Sequence, residues 1–492
     1  MSGIMSSPPV SPGYRRPLED ITNLAPLSPD PSPVKKRKFV HSIPDKVVSI
    51  QQGSIRSLPL RRMMYQFGGS LSEQLWRDSL PEAMSFCSSS TDFERLSDYL
   101  DKPVPFCLTP LHHTNRVAVG LQGGDIAFLD PGNESSLDGR KMKPRAVIRN
   151  AHSNAVLSVA ASASDKYMAT AGGDQVVQLF DIQQGKVLHK FTTYTGRIIK
   201  MHPNHDSLAI VGSRMGNIHL YDFRLPSDHK IALSVNCFAD TTSGPEYGSG
   251  EIANAHDSRR KVGERTRIPK SNKKSKSITA LVWCNDYVAA SGCESNSCIR
   301  GWDFRQVKRS LSESFVFETT APQSHSRTRP FGVCSLEFDP TQRKIWSLCR
   351  DNHIYSYGLS NVSEVADDLT NSQMDITSFY PDLTIIGPSA FNSGSYIACG
   401  GGQDGSIPLF TKPGLERAHK GPNTCGQSVS LTGHNETVSA VAWHSYSGRL
   451  ISISDDSTVR FWAASTSRSR SFRAEITPLA GWANEIEHNN DN

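Results

Sequence analysis

Two histidine–aspartate pairs are the residues of this chain best suited by type to acid–base chemistry: His152 with Asp174, and His434 with Asp456. A base of this kind works only when a nucleophile lies within its reach, and none is placed with either pair. His112-His113 offers two imidazoles with no other ligand type in register, a poor metal site. The ten cysteines contain no CxxC pair, and Cys293-x4-Cys298 has no matching second pair. That usage favours buried, reduced thiols over zinc or a disulfide framework. The run CGGGQDGS (399–406) lacks the Lys-Ser/Thr ending of a phosphate loop, and no HExxH or GxSxG occurs. No catalytic residue, metal, cofactor or small-molecule ligand is expected. The chain reads as a non-enzyme that works by binding.

Both pairs sit in a frame that recurs along the chain, and recurrence decides the fold. Residues 433–463, GHNETVSAVAWHSYSGRLISISDDSTVRFWA, give Gly-His, an alternating strand, a turn carrying Asp456, and a strand ending in Phe461-Trp462. These are the parts of one WD-repeat propeller blade, in which the turn aspartate accepts a hydrogen bond from the histidine and locks the loops. His152, Asp174, His434 and Asp456 are therefore expected to be structural. The frame returns at Phe180-Asp181, at Tyr221-Asp222 with Met215 in the turn, and at Trp302-Asp303 with Asn296 in the turn. It returns again at Tyr357-Gly358 after Asp351 and at Phe410-Thr411 after Asp404, while Leu129-Asp130 ends a degenerate first copy.

Seven copies with period-2 alternation, as in Val177-Gln178-Leu179-Phe180, predict an all-β chain: a seven-bladed WD-repeat β-propeller over 104–465. The wide gap between the third and fourth copies holds a basic insertion at about 232–276. Residues 47–103 form a lead-in expected to supply the ring-closing strand, from VVSIQQG or RRMMYQFGG, because an open edge is costly. SLSEQLWRDSL in the same lead-in has the pattern of a short amphipathic helix, for docking or for packing under the ring. A short polar tail, 466–492, follows the propeller.

The 492 residues leave room for about three average domains, or one large β architecture with tails. Hydrophobic residues make up 37%, enough for a real core, and no run nears the ~18 apolar residues that span a bilayer. The N-terminus lacks an apolar signal core, so a soluble, intracellular protein without membrane contact is expected. The net charge of +5 is concentrated: residues 1–46 hold seven Lys/Arg against four Asp/Glu, and 257–276 hold nine against two. Basic islands on a mildly acidic body suit a localisation signal, or a flexible contact with DNA, RNA or an acidic partner. Residues 1–46 are Ser/Pro-rich and expected to be a disordered N-terminal tail. Lys35, Lys36, Arg37 and Lys38 beside Pro33 have the pattern of a nuclear localisation signal, set against the blander reading of a solvated linker. Ser32-Pro33-x-Lys35 has the form of a cyclin-dependent-kinase site, and a phosphate there would offset the local positive charge.

Two consecutive copies end in aromatic-Asp-Phe-Arg: Tyr221-Asp222-Phe223-Arg224 and Trp302-Asp303-Phe304-Arg305. Each arginine falls just past the third strand of its blade, at one rim, where a guanidinium fork can reach carboxylates or carbonyls of a partner. An arginine there is also a common solvated residue, and the pairing in adjacent blades is what carries weight. The pair resembles the WDxR motif of proteins that dock on the propeller adaptor of cullin-4 ubiquitin ligases. In order, the chain has SIRSLPLRRMMYQ, AHSNAVLSVA, AGGDQVVQLFD, GNIHLYDFR, a basic insertion after ANAH, and ITALVW…IRGWDFR. With that order it resembles the denticleless-type WD-repeat substrate receptors of those ligases.

The resemblance implies that these eight residues dock on the adaptor, the large subunit of the damage-specific DNA-binding protein, and through it on cullin-4 and a RING protein. It implies recruitment of chromatin-bound replication proteins, the licensing factor and degrons on the sliding clamp, for ubiquitin-dependent degradation in S phase and after DNA damage. The place would be the nucleus. Arg259, Arg260 and Lys261 of the insertion are the candidates for contact with degron, clamp or DNA. About 27 residues follow the propeller and end EIEHNNDN, without a Gln-x-x-aliphatic-x-x-aromatic-aromatic sequence. A short form of the receptor is expected, with a tail that does not bind the clamp. The alternative is a nuclear WD-repeat scaffold for histones or ribonucleoprotein, which would show an acidic pocket and need neither arginine.

Overall fold

The computed structural model describes residues 82–101, 103–130, 146–191, 196–224, 232–234, 247–249, 251–252, 255–256, 276–306, 314–322, 331–388, 396–413, 428–475 and 479–485. Ser32, Lys35, Lys36, Arg37 and Lys38 lie outside them, as do VVSIQQG, RRMMYQFGG, SLSEQLWRDSL and Arg259, Arg260 and Lys261.

The alternating apolar runs fold into antiparallel blades, consecutive in sequence because each strand pairs with the next. Blade one is Pro105–Pro110, Val117–Leu121, Ile126–Leu129 and Ala146–Ile148, and blade two is Val156–Ala161, Tyr167–Gly172, Val177–Asp181 and Lys186–Phe191. Blade three is Gly196–Met201, Leu208–Ser213, Ile218–Asp222 and Glu251–Ile252, and blade four is Ile278–Trp283, Val288–Cys293, Arg300–Asp303 and Phe315–Glu318. Blade five is Val333–Asp339, Lys344–Cys349, His353–Gly358 and Asp367–Leu369, and blade six is Leu383–Ile386, Tyr396–Cys399, Ile407–Thr411 and Ser428–Thr432. Blade seven has Val438–His444, Arg449–Ser454 and Thr458–Ala464. The first strand of each blade packs on the first strand of the next, and that of blade seven returns to blade one. The chain is an all-β, seven-bladed WD-repeat propeller.

Seven clusters of buried side chains hold the blades face to face, one at each interface. Ile451, Ile453 and Phe461 of blade seven, for example, pack with Val117, Val119 and Leu129 of blade one. Pairing between the first two strands skips one residue in six blades, at Phe106, Leu157, Arg197, Thr279, Cys334 and Ser439. Bulges of this kind re-aim a side chain and sharpen the local twist.

The lead-in closes the ring as expected, but through other stretches than those named for it. Thr458–Ala464 takes its outer partner from Phe86–Ser88 and Phe93–Arg95, not from VVSIQQG or RRMMYQFGG. The tail is not merely a polar extension either. Thr466–Glu475 is a helix fixed to the lead-in, with Ser469 Oγ donating to the Met84 carbonyl at 2.6 Å and Arg468 Nη2 to Asp92 at 3.1 Å. Beyond it, Gly481–Glu485 is a strand inserted between Ser428–Thr432 of blade six and Phe86–Ser88. Gly481 lies so close to Trp462 that a Cβ there would stand 2.6 Å from the indole, which is why the strand begins with glycine. The expected insertion also contains working parts. Ala232–Ser234 pairs with Tyr247–Ser249, and Glu251–Ile252 is the fourth strand of blade three.

Truncation after Ala464 would bare the edges of Ser428–Thr432 and Phe86–Ser88. The expected outcome is a lower melting temperature and self-association through those edges, read by thermal melting and light scattering. An unchanged melting curve with a monodisperse product would make the tail strand an accessory.

Candidate functional site

The third strands of blades three and four end in Asp222 and Asp303, and the two arginines follow within one turn. Arg224 folds back on its own aspartate: Nε donates to Asp222 Oδ1 at 2.9 Å, Nη2 to Oδ2 at 2.7 Å, and the Arg224 amide to Oδ1 at 3.0 Å. Arg305 repeats the arrangement on Asp303 at 3.1, 2.7 and 2.9 Å. Both carboxylates are buried while the arginine side chains stay 43% and 53% exposed. Burial works to raise the Asp303 carboxyl, but the Arg305 guanidinium and amide hold it below the usual carboxylate range.

The other six residues of the two motifs lie beneath the forks. Tyr221, Phe223, Trp302 and Phe304 are packed in the blade core, and Asp222 and Asp303 are buried beneath the forks. They brace the arginines from below.

A joint between blades three and four fixes the spacing of the pair. His202 Nε2 donates to the Asp286 carbonyl at 2.7 Å, and Asn204 Nδ2 donates to Asp286 Oδ1 at 2.5 Å. The next residue, Tyr287, lies under Arg305 with the guanidinium 4.5 Å from its ring centre, a cation–π contact. On the other side His202 stacks edge-on against Trp283 at 4.7 Å, and Trp283 contacts Phe304 at 5.5 Å. Residues of blade three thus reach, through two aromatic contacts, the residue before Arg305. Nothing in the spacing of His202, Asn204 or Tyr287 signalled this.

The histidine pairs are brought together as blade locks. His152 Nδ1 donates to Asp174 Oδ1 at 3.0 Å, and its Nε2 accepts from Thr170 at 2.8 Å. In blade seven Trp462 Nε1 donates to Ser452 at 2.9 Å, Ser452 to His434 Nε2 at 2.7 Å, His434 Nδ1 to Thr458 at 2.9 Å, and Thr458 to Asp456 at 2.5 Å. Thr458 therefore carries the link, since Asp456 stands 3.5 Å from the ring nitrogen. Blade four has a lock that the sequence reading missed. Trp302 Nε1 donates to Ser291 at 2.8 Å, Ser291 to His256 Nε2 at 2.9 Å, and His256 Nδ1 to Asn296 at 3.3 Å. The signal was Asn296 and Trp302 in lock register, with ANAH just ahead of them.

The remaining chemical candidates are occupied structurally. His112 and His113 donate their amides to Asp165 at 2.8 and 2.6 Å, tying blade one to blade two. In CGGGQDGS, Gly401 and Gly405 have φ of 77° and 71° and make a blade turn. The cysteines among the described residues are free, and burial pushes the Cys284 and Cys334 thiols up to about 12, which leaves them unreactive. The sequence did not foresee that the channel wall collects Lys200, Glu337 and Asp382. Burial opposes charge on Lys200, yet the two carboxylates hold its ammonium above the ordinary lysine value.

Residues 143–181 and 425–463, within blades one and two and blades six and seven, match the WD domain, G-beta repeat pattern. The chain is 26% identical over 498 residues to the cell division cycle protein cdt2 of Schizosaccharomyces pombe, covering 91% of this chain and 92% of that protein. It is 24% identical over 336 residues to denticleless protein homolog B of Xenopus laevis, covering 68% of this chain but only 44% of that longer protein. The β-propeller domain of Cps50 (Swd1) from Myceliophteria thermophila superimposes with a TM-score of 0.48 at 13% identity, covering 74% of this chain and 97% of that one.

The locks give a pH-dependent expectation. Burial lowers the His256 imidazole to about 3, against 6.5 for a free one. Between those values the unfolded chain binds a proton at this site that the folded chain does not. Its stabilising contribution is thus complete above pH 6.5 and lost as pH falls toward 3. His256→Gln should be less stable than wild type near pH ~7.5, yet lose less stability on going to about pH 5. Urea unfolding at both pH values checks this, and equal slopes for the two proteins would remove His256 as the titrating group.

Proposed function

We propose that this chain, a WD-repeat protein of the denticleless type, is the substrate-recognition subunit of a cullin-4 RING ubiquitin ligase. The observation that supports the reading most directly is the twice-repeated fork of Asp222–Arg224 and Asp303–Arg305 on consecutive blades of one rim. In each fork the buried aspartate uses one edge of the guanidinium and holds its plane, so the exposed remainder meets a partner without losing rotamer freedom on binding. Two such groups, spaced by the His202–Asp286 joint, suit a surface that presents carbonyls or carboxylates at fixed separation. The adaptor's propeller would supply that surface, with cullin-4 and the RING protein following through the adaptor.

The chain itself needs no catalytic group in this role. It would act by holding a substrate near the ubiquitin-carrying enzyme, which raises the effective concentration of the reacting partners. The proposed substrates are chromatin-bound replication proteins, the licensing factor and degrons displayed on the sliding clamp among them, degraded in S phase and after DNA damage. Lys35, Lys36, Arg37 and Lys38 would direct nuclear import, and Arg259, Arg260 and Lys261 would contact degron, clamp or DNA.

The test is affinity purification from nuclear extract of wild type beside Arg224→Ala, Arg305→Ala and the double variant. Each single change should weaken adaptor capture by about tenfold, and the double change should bring it to background. Because Ala leaves Asp222 or Asp303 buried without its fork, Arg224→Lys/Arg305→Lys serves as a second variant that keeps the charge and loses the bidentate geometry. It should keep the wild-type melting temperature and still lose most of the adaptor. Wild type that brings down no ligase subunit, or a well-folded double variant that retains them all, would sink the reading.

A further inference from the structure

The end of the channel opposite the Asp–Arg rim carries three arginines. Antiparallel order sets the face: the start of a first strand and the end of a second lie at one mouth, and the end of a third lies at the other. Arg197, at the bulge of Gly196–Met201, and Arg214 and Arg350, each just after a second strand, therefore share the mouth away from Arg224 and Arg305. All of these bulges are at the same level, and Arg197 is the one charged residue among Phe106, Leu157, Arg197, Thr279, Cys334 and Ser439.

Two of the arginines share one aromatic ring. The guanidinium of Arg197 lies 5.3 Å from the centre of Phe379 and that of Arg350 lies 4.8 Å from it, while Arg350 Nη2 donates to the Thr377 carbonyl at 3.0 Å. Arg197 Nη1 donates to Ser277 at 3.1 Å, and the positive charge of Arg214 lies close enough to work against its own. Like charges at this spacing repel one another, two on one ring and Arg214 on the wall of the adjoining cavity with Arg197, and an anion among them relieves that repulsion. Of the neighbouring carboxylates, only Glu294 pairs with one of the three arginines among the described residues. Glu294 stands 3.6 Å from Arg197, whereas Asp351 accepts from Tyr355 Oη and Asp382 accepts from the Ser335 hydroxyl. Arg214 and Arg350 form no ion pair among the described residues. Beside the cluster Tyr380, 41% exposed, meets Phe106 edge-on at 5.1 Å and offers an apolar ledge. The cavity beneath holds about 280 Å³.

We propose that this mouth binds an extended peptide segment carrying a phosphorylated serine, its phosphoryl group held by Arg197, Arg214 and Arg350 and a neighbouring apolar side chain resting on Tyr380 and Phe106. A phosphoryl group suits the cluster better than a carboxylate because its dianion and several acceptor oxygens can engage more than one guanidinium at a time. The site is separate from the adaptor rim and stands or falls without it.

The experiment uses the full chain alone, immobilised and exposed to three pools of short random peptides with a fixed central phosphoserine, glutamate or serine. The phosphoserine pool should be retained about tenfold over the serine pool, and Arg214→Ala and Arg350→Ala should each lower its retention by about tenfold. Arg214 is exposed, so its variant tests the site even where Arg350→Ala lowers the melting temperature. Equal retention of all pools, or of the glutamate and phosphoserine pools, would overturn the proposal. So would retention that survives both substitutions, or a single-stranded DNA oligonucleotide that binds through the same arginines and displaces the peptides.

Discussion

The backbone pairing that closes blade seven is the constraint on which the rest of the ring depends. Each blade packs face to face on its two neighbours, so the ring curvature is set once, at the seam. There the third strand of blade seven meets a segment more than 370 residues away in sequence, with Cys87 opposite Ala463 and Phe86 opposite Ala464. Phe86 is fully buried, which stabilises the seam by about 1.5–3 kcal/mol. The tail strand then joins Phe86–Ser88 to the outer strand of blade six. Blades six and seven become one continuous sheet, and Phe86–Ser88 and Gly481–Glu485 both lie in it. Opening this sheet would free two strand edges at once and release the orientation of every blade around the ring.

The inner parts of the blades were legible because their signal is local. Alternation, the Gly-His and the final aromatic-Asp pair all lie within one repeat, and each strand's partner is the next strand along. The seam was not legible because its strands borrow their identity. Phe86–Ser88 and Phe93–Arg95 are three residues each, and Gly481–Glu485 reads GWANE; none shows alternation long enough to announce a strand. They are strands because finished edges wait on either side of them. His256 was hidden for a related reason: it serves blade four from a stretch whose charge marks it as an insertion.

The paired arginines show a different kind of partial legibility. Their position past the third strand followed from the repeat, but their bracing did not. Asp222 and Asp303 look like repeat markers in sequence, and in the fold they are also the acceptors that aim the forks. A motif of four residues thus divides into three that build and one that is presented. The aromatic residues bury the base of the motif, and the aspartate turns burial into direction, because a desolvated carboxylate must find a donor and the next arginine is the donor in reach. This explains why arginine suits the position better than lysine. A single ammonium could satisfy the charge of the aspartate, but not hold a plane with one edge inward and the other outward.

Blade three carries this logic to both ends. Arg224 follows its third strand at one rim, and Arg197 bulges from its first strand at the other. The two lie in a single hydrogen-bonded sheet whose buried residues Ile199, Ala209, Val211 and Tyr221 pack with blade two. A partner held at the rim and a ligand held at the mouth would therefore occupy opposite ends of one rigid element, at a separation set by strand length and not by a loop. That arrangement favours simultaneous occupancy over competition, since neither site has to move for the other to fill. A rigid body with two independent faces is what a bridging protein requires, and here the antiparallel order of blade three sends Arg224 to one face and Arg197 and Arg214 to the other.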